Sequence, residues 1–162
     1  MKKSLVLAAG IIAAPVSTAA SAGTITITIP RINASEYHAP YVAAWIEPAG
    51  GGQARTLAVW YDVDKVGNEP GTKWLADLRT WWRKGGRSLK LPANGVSGAT
   101  RAPGAHRITI PTNVKAGAYT LHVEAAREDG GRELVSMPLT IPAANGRASG
   151  TTEMGAITIS AR

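Results

Sequence analysis

Two hydroxyl side chains, Ser97 and Thr100, lie in a loop whose composition suits chemistry at an exposed oxygen. The loop covers residues 89–104, has neither a helical nor a strand period, and is rich in glycine and alanine. Small neighbours leave hydroxyls accessible and let a ligand approach the backbone amides closely. No carboxylate occurs between Asp77 and Glu124, whereas the following basic residues do: Arg79, Arg83, Lys84, Arg87, Lys90, Arg101, Arg107 and Lys115. We therefore predict that the function resides in this loop.

The residue types elsewhere argue against an autonomous catalytic site. The segment from Gly95 to Ala99 departs from the nucleophile elbow of hydrolases, because Ala99 stands where the last glycine is expected. The carboxylates form no evident acid–base pair, and none lies in the loop. The histidines, His38, His106 and His122, have no metal-ligand spacing, although a metal- or haem-handling role remains an alternative. We therefore predict no catalytic residue and no metal ligand.

Strands are expected to position the loop. Strict alternation over 24–29 places Ile25, Ile27 and Ile29 on one buried face. Further runs of β-branched, apolar and aromatic residues predict strands over 41–47, 55–61, 106–110, 117–126, 133–141 and 157–159. About seven strands with frequent turn signals predict a mainly β fold, a single antiparallel β-sandwich of the immunoglobulin-like type. A closed barrel is the alternative.

One segment has a different period. From Lys73 to Lys84 the apolar residues recur at helical spacing and form one stripe, with Thr72 as a cap and Gly85-Gly86 as the end. This pattern predicts one amphipathic helix packed on a sheet. Its tryptophans are expected to lie in the core, and a binding platform is the alternative.

The N-terminus is typical of an exported protein. Lys2 and Lys3 precede an apolar run, and Ala20-Ser21-Ala22 is a small-residue cleavage site. We predict a signal peptide over 1–22, cleaved after Ala22, and a single domain over 23–162 in the periplasm.

The mature chain is expected to be basic, since removing the two lysines lowers the net charge from +7 to +5. This remaining positive charge favours an anionic ligand or partner. We expect no transmembrane segment in the mature chain and no nucleic-acid partner.

The central part of the loop resembles a known motif. Residues 94–100, Asn-Gly-Val-Ser-Gly-Ala-Thr, are similar to the covalent flavin-attachment motif of exported FMN-binding domains, with asparagine in place of the leading aspartate. In that family a flavin transferase esterifies the last hydroxyl with the FMN phosphate. The resemblance implies that Thr100 is the acceptor, that Ser97, Gly98 and Ala99 shape the loop, and that Arg101 offsets the phosphate charge.

The wider chain is similar to a family of predicted bacterial periplasmic proteins, a domain of unknown function. The resemblance lies in 40–47, 56–61, 74–75 with 81–83, 97–104, and 119–121 with 123–128. That family often occurs beside membrane proteins of the PepSY type, which are linked to redox and iron handling.

Two functional hypotheses follow from these resemblances and from the basic loop. The first is an accessory that carries covalent FMN for electron transfer, with a membrane redox protein or a flavin transferase as partner. The alternative is an interaction module whose basic loop binds an anionic ligand or a membrane-protein partner.

Overall fold

The computed structural model describes residues 21–66 and 69–161, and most of this part is strand and loop. The strands, in chain order, are β1 (Ser21–Ile29), β2 (Tyr41–Pro48), β3 (Arg55–Trp60), β4 (Lys65–Val66), β5 (Glu69–Pro70), β6 (Ser97–Gly98), β7 (Gly104–Pro111), β8 (Gly117–Ala126), β9 (Arg132–Ile141), β10 (Gly146–Ser149) and β11 (Ala156–Ser160). The mainly β prediction is confirmed.

Two larger sheets form the body of the domain. The four-stranded sheet has the order β10-β11-β1-β7, and the five-stranded sheet has the order β6-β3-β2-β8-β9. In these sheets neighbouring strands are antiparallel, except that β6 runs parallel to β3. In the described part of the chain the strands thus form separate sheets rather than a closed barrel. The immunoglobulin-like assignment stays a prediction.

The main core lies between these two sheets. The alternation in β1 buries Ile25, Ile27 and Ile29 to 1% exposure or less, as the sequence predicts. They belong to the same apolar cluster as Leu121 and Val123 of β8, on the opposite sheet. Each fully buried aliphatic side chain contributes about 1.5–3 kcal/mol through the hydrophobic effect.

A second apolar cluster covers the outer face of the five-stranded sheet. There Trp45 of β2 and Tyr61, just after β3, pack with Leu75, Leu78 and Trp81. Strand β2 is therefore buried on both faces, which fits its nearly continuous apolar sequence. The predicted helical segment supplies this cover, and Trp81 is a core residue, as expected.

The expectation of one continuous helix is wrong. A 3₁₀ helix (Gly71–Asp77) is followed by a short helix α1 (Arg79–Arg83) and a 3₁₀ turn (Gly86–Ser88). Leu78 separates the first 3₁₀ helix from α1, because its backbone angles, φ −75° and ψ 68°, are not helical. Next to the break, the side chain of Glu124 accepts hydrogen bonds from the first amides of α1, so acceptors outside the helix replace helical carbonyls.

Other expectations differ in detail. Strand β10 is not among the strands that the sequence predicts, because it has no apolar alternation to reveal it. The predicted signal peptide lies outside the described residues except for Ser21 and Ala22, which begin β1. Its cleavage site and the domain limits remain predictions.

Candidate functional site

The loop of residues 89–104 is fastened to the edge of β3 by backbone hydrogen bonds. The amide of Val59 donates to the carbonyl of Val96 at 2.9 Å, and the amide of Tyr61 donates to that of Gly98 at 3.0 Å. These two bonds flank the two-residue strand β6. The loop therefore supplies the edge strand β6 of the five-stranded sheet, which pairs with the C-terminal end of β3.

Three of the predicted site residues shape this loop. The hydroxyl of Ser97 accepts a hydrogen bond from the amide of Ala93 at 2.9 Å and closes a turn. A Cβ on Gly98 would lie 3.3 Å from both Trp60 Cδ1 and an Nη atom of Arg101, so the glycine permits close packing. The guanidinium of Arg101 lies over the Trp60 ring, 5.2 Å from its centroid, in cation–π geometry.

The predicted acceptor, Thr100, lies beside a carboxylate. Its hydroxyl donates to Oδ1 of Asp62 at 3.3 Å, and the residue is half-buried while the preceding Ala99 is exposed. Asp62 follows the end of β3, and its Oδ2 accepts from the hydroxyl of Tyr41 at 3.3 Å. Asp62 therefore connects the loop hydroxyl with an aromatic side chain of β2.

Tyr41 is a neutral hydrogen-bond donor at this position. Its hydroxyl also lies 3.1 Å from the carbonyl oxygen of Gly71. Burial raises the pKa of Tyr41 to about 12, and the negative charge of Asp62 contributes to the rise. Its ring meets the ring of Tyr61 edge-on, with the centroids 6.4 Å apart. The phenol is thus held in a fixed orientation.

Tyr41 and Asp62 belong to the wall of a cleft of about 310 Å³, which we call the aromatic cleft. This volume lies at the lower end of the range for small-molecule sites. The lining combines aromatic rings, carboxylates and a few other groups: Tyr37, His38, Ala39, Tyr41, Asp62, Trp74, Asp77, Ala126, Arg127 and Glu128. Thr100 is not part of this lining, and its hydroxyl contacts the cleft wall through the hydrogen bond to Asp62.

The charges around the aromatic cleft are of both signs. The imidazole of His38 lies 3.7 Å from Glu36 and 3.8 Å from Glu128. The guanidinium of Arg127 is paired with the buried carboxylate of Glu153 at 2.9 Å. The lining itself contains three carboxylates, Asp62, Asp77 and Glu128, whereas the charge of its arginine, Arg127, is offset by Glu153.

The sequence did not predict the aromatic cleft. Its residues come from well-separated stretches of the chain, and Tyr41, Asp62, Trp74 and Arg127 follow no common pattern. Trp74, expected to lie on the buried stripe of a helix, is half-buried and lines the cleft. Only the tertiary fold brings these residues together.

The histidines are dispersed in the structure. His106 lies 2.7 Å from the carbonyl oxygen of Ala102, and His122 lies 2.7 Å from the hydroxyl of Ser136. Among residues 21–66 and 69–161 no group of three or more histidine, aspartate or glutamate side chains is placed to hold a metal ion. Within the same ranges no helix is long and apolar enough to cross a membrane.

Comparison with protein families gives a match over most of the chain. The family model described as "predicted periplasmic protein (DUF2271)" matches residues 22–156, most of the chain. This description confirms the predicted periplasmic location. Comparison with curated proteins gives no match, and comparison with solved structures gives none either.

Proposed function

Since this chain belongs to the DUF2271 family of predicted periplasmic proteins, we propose that it is a non-catalytic periplasmic carrier of FMN attached covalently to Thr100. The observation that carries the proposal is the position of the Thr100 hydroxyl. It lies on a small-residue loop and donates to Asp62, a residue of the aromatic cleft. The last residue of the sequence motif at 94–100 is thus hydrogen-bonded to a residue of the cleft wall.

The loop fits an acceptor for a second enzyme. Its turn includes Gly95 at φ 71°, a conformation that L side chains rarely adopt. Thr100 itself is half-buried, and the preceding Ala99 is exposed. Meanwhile the bonds of β6 to β3 fix the backbone before Thr100. A partly exposed hydroxyl on a backbone that is held in place is a suitable substrate for a transferase active site.

The neighbouring residues fit the parts of the cofactor. Arg101 supplies a cation next to the ester that would form at Thr100, and it offsets the repulsion between the phosphate and Asp62. The rings of Tyr41 and Trp74, both in the lining of the aromatic cleft, can flank a planar flavin ring.

Two residues of this chain act in attachment and use. Asp62 already accepts the hydrogen bond of the Thr100 hydroxyl, and it would take that proton while the Thr100 oxygen bonds to the phosphorus of a flavin dinucleotide, whose diphosphate P–O bond breaks and whose nucleoside monophosphate leaves. Tyr41 stays protonated and presents a hydrogen-bond donor to the cleft. FMN itself supplies one- and two-electron transfer when it is bound.

The test is the intact mass of the protein co-expressed with a flavin transferase. We expect a gain of one FMN group and a yellow protein. In Thr100→Ala both should be lost, because no acceptor oxygen remains, whereas Thr100→Ser should retain them. Thr112→Ala, a change at an exposed turn threonine, is the matched control. An unmodified wild type, or a Thr100→Ala protein that still gains the mass, contradicts the proposal.

A second candidate function is docking to an anionic partner through a basic surface. Arg83, Arg87 and Lys90 are exposed, and within the described ranges none of them forms an ion pair. They lie at the end of α1 and at the start of the loop that holds Thr100. A membrane redox protein of the PepSY type is the partner that the family context favours.

A further inference from the structure

A second cavity, of about 350 Å³, lies beside the aromatic cleft, between the start of α1 and the turn that joins β8 to β9. We call it the arginine groove, because its lining contains Arg79, Arg127 and Arg132. The two cavities share Asp77, Ala126 and Arg127, which lie at the boundary between them. Nothing in the motif at 94–100 concerns this groove.

Buried carboxylates hold two of the arginines in position. Nε and one Nη of Arg127 donate to Glu153, which is 4% exposed, at 2.9 and 3.2 Å. One Nη of Arg132 donates at 2.8 Å to Glu124, which is 0% exposed. The guanidinium groups are therefore oriented before any ligand arrives, which lowers the entropy lost on binding.

Both guanidinium groups keep free donors. The Glu153 pair leaves one Nη of Arg127, and the Glu124 pair leaves Nε and one Nη of Arg132, without a hydrogen-bond partner among the described residues. A guanidinium has five N–H donors arranged as a planar fork, which matches the oxygens of a carboxylate or a phosphate.

Two glycines keep the groove open. A Cβ on Gly130 would lie 2.5 Å from Cζ of Arg127, and one on Gly131 would lie 2.7 Å from a carboxylate oxygen of Glu153. Any larger residue in this turn would displace the guanidinium or its carboxylate. The absence of a side chain at Gly130 therefore allows the turn backbone to pack directly against the Arg127 guanidinium.

The charge balance assigns a particular role to Arg79. Glu153 and Glu124 offset the charges of Arg127 and Arg132. Arg79 is exposed and has no ion-pair partner among the residues that the structure describes. Its charge thus attracts an anion to the groove, whereas the exposed Asp77 opposes one.

From this arrangement we propose that the arginine groove binds the carboxylate or phosphate group of a small anionic ligand. Arg127 and Arg132 present oriented hydrogen-bond donors, and the positive charge of Arg79 attracts the anion. The site is independent of Thr100 and needs no attached flavin.

The proposal is tested by titrating the isotope-labelled, flavin-free protein with inorganic phosphate and, separately, with succinate at constant ionic strength. We expect saturable amide shifts at Gly130 and Gly131. Arg79→Ala should weaken binding by about tenfold, the effect of losing one charged hydrogen-bond donor. Asp77→Asn should tighten binding about two- to fivefold by removing a repulsive charge. Arg87→Ala, a change at another exposed arginine, is the matched control.

The two probes identify the chemical group, because the tighter of them shows whether the groove favours phosphate or carboxylate. All three variants change exposed residues, so they leave the core intact. The absence of saturable shifts with both probes would overturn the proposal. So would an Arg79→Ala protein that binds as tightly as the wild type. Neither outcome bears on flavin attachment at Thr100.

Discussion

At the scale of single residues, one carboxylate organises the turn before β11. Oε1 of Glu133 accepts from the amide and the hydroxyl of Thr151, at 2.6 and 3.0 Å. Oε2 accepts from the amides of Thr152, Glu153 and Met154 at 3.2, 2.9 and 2.9 Å. Because Glu153 also holds Arg127, the Glu133 side chain supports the arginine groove indirectly.

The ionised form of Glu133 should stabilise the fold over a defined pH range. Burial raises the pKa of this carboxyl, but hydrogen bonds from Thr151, Met154 and Thr152 outweigh burial and lower the pKa from 4.5 to about 2. A lowered folded-state pKa contributes stability above pH 4.5, and this contribution disappears as the pH falls towards 2.

We therefore expect Glu133→Gln to lower the free energy of unfolding at pH 7 by about 1–3 kcal/mol, because the amide group leaves backbone donors unpaired. The difference from the wild type should shrink between pH 4.5 and 2. Urea unfolding at several pH values measures it. Glu36→Gln, a change at an exposed glutamate, is the control. A pH-independent difference would contradict the assignment to the Glu133 charge.

At the scale of elements, the start of α1 depends on a residue of β8. Glu124 accepts from the amide of Thr80 at 3.0 Å and from that of Trp81 at 2.8 Å, and it also pairs with Arg132. We expect Glu124→Leu to destabilise the protein by about 2 kcal/mol or more, since it leaves buried amides without acceptors. Urea unfolding followed by tryptophan fluorescence measures the loss.

A local readout separates this effect from general destabilisation. In Glu124→Gln, which keeps one carbonyl oxygen, we expect hydrogen exchange to accelerate at Thr80 and Trp81 more than in the core strand β1. Equal acceleration in α1 and β1 would show that Glu124 does not hold α1 in particular. Glu128→Gln, a change at an exposed residue two positions after β8, is the control.

The elements also show what the sequence could predict. The strand at Ile25, Ile27 and Ile29 was predictable, because alternation depends only on neighbours along the chain. The break at Leu78 was not, since its cause includes an acceptor from β8, more than forty residues away. Within the candidate site, the loop at Thr100 is a local pattern that the sequence reveals, but its carboxylate neighbour Asp62 is a tertiary contact.

At the scale of the whole molecule, charge is distributed unevenly over the surface. The segment from Leu78 to Val123 carries no carboxylate, and it supplies the exposed cations Arg83, Arg87 and Arg101. The aromatic cleft beside it contains carboxylates from other segments, such as Asp62 and Glu128. A partner that binds at Thr100 thus encounters a cation, the adjacent Arg101, and a carboxylate, Asp62, and complementary charges on the partner favour one orientation.

This uneven charge gives a test of docking. The triple variant Arg83→Glu, Arg87→Glu and Arg101→Glu reverses three exposed cations, one in α1, one in the 3₁₀ turn and one in the loop that holds Thr100. The control variant reverses three exposed arginines that lie outside α1, the 3₁₀ turn after it and the loop of residues 89–104, namely Arg31, Arg107 and Arg147, and so changes the net charge equally.

We expect the first variant to lower co-purification with a PepSY-type membrane protein about tenfold, because like charges then face each other across the interface. The control should be recovered as well as the wild type, and raising the salt concentration should weaken the wild-type interaction. Equal losses in both variants would mean that net charge alone drives the association. Full recovery of the first variant would exclude the basic surface as the docking site.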